Sequence, residues 1–172
     1  PGPQGRNYCG VGSSVIAGRE VLTHHVDLCL AADLRLHGTN AEVALGQWEF
    51  QVGHRPGFDE VALTPVQACD QLIFARFLLE FTAEFQGYDV VYTPKPHPEY
   101  NGSGCHINFS TNQMREKGGL KYINEAVDRL RDNHEQDLPA FGADLDKRLI
   151  GTHETSSFET FTVGARDRTA SV

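Results

Sequence analysis

The chain lacks any run of basic residues. Lysine and arginine total 15 against 23 aspartates and glutamates, for a formal net charge of −8. That balance argues against a nucleic-acid-binding surface or an anionic-membrane binder. An anionic substrate would need local help from arginines or a metal ion. Cysteine is also scarce, since Cys9, Cys29, Cys69 and Cys105 are scattered and form no CxxC pair. A zinc ribbon or disulfide framework is therefore not expected, and a reducing, cytoplasmic setting is. No apolar stretch approaches the length of a membrane span, and no signal-type segment opens the text. No Walker loop, dinucleotide fingerprint or GxSxG elbow occurs, which removes the commonest readings of those kinds.

What is present is 172 residues of ordinary globular composition, 40% hydrophobic and 22% charged, enough for one domain. The first residue is proline rather than methionine, so a fragment or a processed chain is expected.

Local patterns alternate between helix and strand. After the loop text "PGPQGRNYCGVG", with a short strand, Leu22, Val26, Cys29 or Leu30, and Leu34 fall at helical spacing. Ser13 or Ser14 is the expected N-cap of that helix, and Gly38 lies just past its end. Thr64, Pro65 and Gln67 supply an N-cap, an N1 proline and a capping-box glutamine for a second helix ending at Gly87. "YDVVYTP" reads as a strand, halted by prolines. "LKYINEAVDRLRDNHEQ" reads as a helix with Leu120, Ile123, Val127 and Leu130 on one face, and the remainder as loops and strands. The interleaving points to an α+β or α/β domain.

"NAEVALGQWEFQVG", residues 40 to 53, is the first candidate site. Trp48, Phe50 and Val52 alternate with Gln47, Glu49 and Gln51, the period of a half-buried strand. A two-residue turn at Leu45–Gly46 would pair Val43 with Trp48 and Glu42 with Glu49. Like charges placed directly opposite repel. Either one carboxylate takes up a proton, or a cation sits between them. Oxygen ligands at that separation suit Mg²⁺ or Mn²⁺. The alternative is a solvated outer face, where two glutamates feel little repulsion, and spacing alone leaves both readings open.

"YNGSGCHINFST", residues 100 to 111, is the second candidate. Glycines flank Ser103, and alternation on a strand would put His106, Asn108 and Ser110 on one face. That face suits a metal and phosphate oxygens, whereas an exposed strand edge after a glycine turn is the structural alternative. The third candidate is "KRLIGTHET" with "GARDRTAS", where Arg148, Arg166 and Arg168 could grip carboxylates or phosphates, or simply form surface ion pairs.

These stretches share an order. "PGPQGxxYCGVG", "NAEVxxGQWEFQVG", "PKPxPxxxNGSGCHxNFST", "RLxGxHET" and "ARDRTAS" occur as they do in glutamine synthetases, and the chain resembles the eukaryotic-type class of that family over nearly its whole length. The resemblance implies that Glu42 and Glu49 are two of three carboxylates holding one catalytic divalent ion, Mg²⁺ or Mn²⁺. His106 matches the ligand of a second ion beside the ATP phosphates. Asn108 and Ser110 match nucleotide-contacting positions, and Arg168 a phosphate-binding arginine. Asn101 and Gly102 match glutamate-binding positions, and Arg148 the arginine that grips glutamate's carboxylate. Glu154 matches the glutamate of a flap that closes over the site and helps receive ammonium. By the same resemblance, Glu42, Arg148 and Glu154 carry the catalytic roles.

The implied activity is ATP-dependent ligation of L-glutamate and ammonium to glutamine. The implied fold is α+β, a curved antiparallel sheet backed by helices, with residues 1–172 as the central part of the catalytic domain. The N-terminal β-grasp domain and the C-terminal part of the catalytic domain are absent from this text, so the 172 residues alone are expected to be inactive. A stacked-ring homo-oligomer, a decamer for this class, is implied for the full-length form, with no nucleic-acid or membrane partner. Two departures stand out: Arg6–Asn7 replace the usual Pro-Tyr near the nucleotide pocket, and the loop from Gly53 to Pro65 is longer than typical. Two other readings remain open, a relative ligating a different amine to glutamate and a non-catalytic structural homologue.

Overall fold

Helix α1 (Arg19–Ala31) begins at Gly18, not at a serine. Gly18 takes φ 77°, and no side chain caps the helix. That left-handed conformation suits glycine. Here the entry is pinned instead by the Trp48 indole, whose Nε1–H donates to the Ala17 carbonyl at 2.7 Å. The helix ends well before Gly38. Asp33 turns left-handed at φ 58°, and the Leu34 amide reaches back to the Cys29 carbonyl at 2.9 Å. Leu34 therefore closes the helix from outside it, and residues after it are free to extend. Val21, Leu22, His25 and Cys29 form the buried stripe.

The structure is a computed structural model that describes residues 5–55, 57–153 and 155–172. Two compact units emerge, Pro1–Val91 and Tyr92–Val172. The secondary structure is mixed, helices with one two-stranded antiparallel sheet among the described residues, an α+β arrangement. No helix among the described residues is long and apolar enough to cross a membrane.

In the first unit α1 is followed by β1 (Leu36–Ala41), β2 (Trp48–Val52) and α2 (Pro65–Phe85). The sheet packs its apolar face on the two helices. Cys29, Leu34, Leu36 and Ala75 form the buried centre, with Val26, Phe50, Val52 and Leu78 packed around it. Helix α2 starts as its sequence dictates. Thr64 accepts from the Gln67 amide at 3.3 Å, and the Gln67 side chain accepts from the Thr64 amide at 3.0 Å. Thr64→Ala removes one half of this reciprocal cap and is expected to cost about 1 kcal/mol. For a chain of this length that is a fall of roughly 2–4 °C in Tm, readable by thermal melting followed by circular dichroism.

The second unit contains α3 (Asn112–Arg115), α4 (Leu120–Asp132), α5 (His134–Asp137), a 3₁₀ turn (Leu138–Phe141) and α6 (Leu145–Arg148). An isolated antiparallel bridge joins Ile150 to Ser157. Four expectations are corrected here. Neither 88–94 nor 106–110 forms a strand. Alternation marks a segment that could join a ladder, but a strand exists only where a neighbour supplies hydrogen bonds. Val91, Ile107 and Phe109 stay 62%, 69% and 62% exposed. The long helix breaks at Asn133, whose side chain donates to the Arg129 carbonyl at 2.7 Å and caps α4 before α5 begins. Arg148, expected in loop or strand text, occupies the last turn of α6.

Candidate functional site

The β1–β2 hairpin is the best-defined candidate, and its register differs from the expected one. Asn40, not Glu42, lies opposite Glu49, and Ala41 lies opposite Trp48. The Glu42 amide then donates to the Gln47 carbonyl at 2.8 Å, which closes the ladder. Leu45 and Gly46 do occupy the centre of a β-turn, closed by Gln47 N–H on the Ala44 carbonyl at 3.0 Å. Gly46 has φ 79° at the third turn position, as in a type II turn, a geometry that splays strands rather than continuing them. Val43 turns inward, 5% exposed, and its carbonyl accepts from Asn7 Nδ2 at 3.2 Å. Burying Val43 draws two residues out of the ladder.

A shift of two residues preserves the face that each side chain occupies, whereas a shift of one would have reversed it. Glu42 and Glu49 therefore remain on one polar face as diagonal neighbours. They come within hydrogen-bonding reach of each other, and Glu42 responds. Its carboxyl is held above the usual carboxylate range, first by burial and then by the bond to Glu49 and that residue's charge, while a bond from Asn40 works in the opposite direction. Burial and a like charge both disfavour the ionised form. A divalent cation would relieve this strain, and carboxylate oxygens are the donors that hard ions take. Two carboxylates fit such an ion but supply only part of its ligand shell. Among the described residues no group of three or more His, Cys, Asp or Glu side chains gathers as a metal-holding cluster.

In the second unit the structure gathers a cationic site around the "NGSG" loop. Ser103 N–H donates to the Pro94 carbonyl at 2.8 Å, folding the loop over. Arg148 lies along it: a Cβ on Gly102 would meet Arg148 Cγ at 2.9 Å, and one on Gly104 would meet its Cζ at 2.6 Å. Backbone thus leaves no room for a side chain at Gly102, while one at Gly104 would displace the guanidinium. The Arg148 guanidinium is partly desolvated, which lowers its pKa, and its buried Nε has no hydrogen-bond partner among the described residues. Lys95, between the two prolines of "PKP", donates from Nζ to the Tyr100 carbonyl. Its pKa is lowered by burial and then by the nearby Arg148 charge. Two partly buried cations facing one loop make a site that would welcome a carboxylate or phosphate. Lys95 was not singled out from sequence; its rigid setting between prolines was the available signal.

The remaining assigned residues are arranged more openly. Asn101 and Gly102 sit half-buried in the loop, while His106, Asn108 and Ser110 are exposed along an extended stretch. Ser110 is held by Arg115, whose Nη1 donates to its Oγ at 2.6 Å and its carbonyl at 3.2 Å. A hydroxyl that accepts from a guanidinium keeps its own proton free to donate. Arg168 is exposed in a turn beside Asp167, whose carboxylate accepts from the Thr169 amide at 2.9 Å and hydroxyl at 2.7 Å. Glu154 lies outside the described residues.

The profile of the family described as "Glutamine synthetase, catalytic domain" matches residues 3–121. A glutamine synthetase of Neurospora crassa is 44% identical over 173 aligned residues, covering all of this chain and 46% of the relative. The glutamine synthetase of Gallus gallus is 45% identical over 177 aligned residues, again all of this chain and 45% of the relative. Arabidopsis thaliana "glutamine synthetase cytosolic isozyme 1-1" is 42% identical over 173 residues, with 100% and 46% covered. The chain spans about half the length of the curated relatives it matches.

Proposed function

The chain belongs to the glutamine synthetase catalytic-domain family, and on that footing we propose that it carries part of the active site of a glutamate–ammonia ligase. In the proposed reaction the side-chain carboxylate of L-glutamate attacks the γ-phosphorus of ATP and displaces ADP, giving γ-glutamyl phosphate. Ammonium loses a proton, and the ammonia formed attacks the acyl carbon and expels phosphate. The product is glutamine.

Each group of residues has a role in this reading. Glu42 and Glu49 would hold one Mg²⁺ or Mn²⁺ and His106 would serve a second; such ions, when bound, neutralise charge as anionic groups converge. Arg148 grips glutamate's carboxylate, with Asn101 and Gly102 shaping the pocket around it. Asn108, Ser110 and Arg168 contact the nucleotide and its phosphates, donating to developing negative charge. Glu154 closes the site and helps receive ammonium. The fold completes a curved antiparallel sheet backed by helices, of which residues 1–172 form the central part. The full-length protein is a cytoplasmic homo-oligomer of stacked rings, a decamer in this class; the cytosolic name of the Arabidopsis relative supports the compartment.

The observation that carries the reading is the gathering of Glu42 and Glu49 on one hairpin face, the two residues to which the family resemblance gives a metal-binding role. The test is glutamine formation and phosphate release, followed together, by the full-length gene product supplied with glutamate, ammonium, ATP and Mg²⁺. Arg148→Lys is expected to lower kcat/KM for glutamate about ten- to a hundredfold, because charge-assisted hydrogen bonds from a planar fork are worth roughly 1.5–3 kcal/mol. An unchanged kcat/KM would remove Arg148 from the glutamate site. Turnover with an alkylamine but none with ammonium would indicate a relative of different amine specificity.

A further inference from the structure

The polar face of the hairpin holds two amides that the assigned roles do not use. Asn40 Nδ2 donates to Glu42 Oε1 at 2.8 Å, Gln51 Nε2 donates to Asn40 Oδ1 at 3.0 Å, and Gln51 Nε2 also donates to Glu49 Oε1. The four side chains form one continuous strap, Glu42–Asn40–Gln51–Glu49. Its polarity is dictated by chemistry. Ionised carboxylates only accept, so both amide nitrogens must face them, and the Asn40 oxygen is left to receive Gln51. Gly38 makes room for this arrangement, since a Cβ there would meet Gln51 Oε1 at 3.2 Å.

We propose that Asn40 and Gln51 are positioning residues for the metal carboxylates, presenting each as a single-oxygen ligand and so favouring a small six-coordinate ion over Ca²⁺. This rests on the reading of Glu42 and Glu49 as metal ligands. The strap engages Oε1 of each glutamate, and none of its hydrogen bonds reaches Oε2 of either. Ca²⁺ takes six to eight oxygens and often uses both oxygens of a carboxylate, whereas Mg²⁺ demands near-octahedral geometry with short bonds. Gripping a carboxylate through both oxygens would set the ion in competition with a charge-assisted hydrogen bond at each residue. Amides suit the task better than lysine or arginine would. They orient the carboxylates without cancelling the negative charge that attracts the ion, in the manner of outer-shell partners that aim metal ligands.

The experiment is Mn²⁺ titration of the full-length gene product, with free Mn²⁺ read by electron paramagnetic resonance, and Ca²⁺ competition measured in parallel. Asn40→Ala and Gln51→Met are compared with the parent, and thermal melts of all three establish that the variants are folded. The expected result is Mn²⁺ affinity about tenfold weaker in each variant with Ca²⁺ affinity unchanged or raised, so that the Mn²⁺/Ca²⁺ preference drops about tenfold. Equal weakening of both ions, or no change in either variant, would overturn the proposal. No Mn²⁺ binding by the full-length parent would instead defeat the metal reading itself, and the proposal with it.

Discussion

Gly102→Ala is expected to damage both stability and glutamate use, whereas Gly104→Ala, two residues away, damages only the second. At Gly102 a methyl group would stand 2.5 Å from the Pro94 carbonyl oxygen and 2.9 Å from Arg148 Cγ. The Pro94 oxygen is backbone and is already engaged by the Ser103 amide at 2.8 Å. It cannot move without opening the loop. Overpacking of that kind costs about 1–3 kcal/mol. At Gly104 the clash is with the guanidinium, 2.6 Å from both Cζ and Nη2. That is the far end of a flexible side chain and can swing away at small cost to stability. The swing removes the fork from its position, however, so glutamate use should fall about tenfold or more in both variants. Thermal melts with steady-state kinetics on the full-length gene product separate the two effects. A Gly104→Ala enzyme with normal kcat/KM for glutamate would show that the observed Arg148 position is not the working one.

A second large effect is expected at His25, the fully enclosed imidazole between α1, α2 and β2. Its Nε2–H donates to the Ala75 carbonyl at 2.9 Å, the Cys29 sulfur lies 3.2 Å from the same nitrogen, and its ring meets Phe50 edge-on with centroids 4.9 Å apart. The Ala75 oxygen can only accept, so Nε2 carries the hydrogen and Nδ1 is bare. Nδ1 is buried and has no hydrogen-bond partner among the described residues. A proton there would place an unpaired charge in the core, and burial accordingly lowers the His25 pKa below its ordinary value of 6.5. Cys29, its neighbour, is pushed up to about 11 by burial and stays a neutral thiol.

The sign follows from proton counting. Below about pH 6.5 the unfolded chain takes up a proton that the folded chain refuses, so stability is full above that pH and declines as pH falls, levelling off beneath the folded pKa. His25→Ala is expected to cost about 2–4 kcal/mol at pH 7.5, from the emptied volume and the lost hydrogen bond. The same variant should show a smaller deficit at pH 5, because only the parent loses stability there through this residue. Urea denaturation at both pH values measures the gap. A deficit that is the same at pH 5 and pH 7.5 would mean that His25 titrates alike in the folded and unfolded states.

Much of this protein follows from its sequence by itself. Thr64, Pro65 and Gln67 determined where α2 begins, because capping is a contest settled among residues three apart. The alternation through Trp48, Phe50 and Val52 determined which face of β2 meets the core, and parity kept Glu42 and Glu49 together even though the register moved by two residues. The motif order determined the family, which the relatives match across the whole chain. Other features were decided only in three dimensions. The burial of Val43 and its hold on Asn7 chose the register, through a contact 36 residues apart in sequence. Leu34 ended α1 by reaching back to Cys29. Arg148 met Gly102, Gly104 and Lys95 across more than forty residues, and no local pattern encodes such a meeting. The segments 88–94 and 106–110 show the converse: each carries the period of a strand, but pairing needs a partner, and a partner is a property of the tertiary structure.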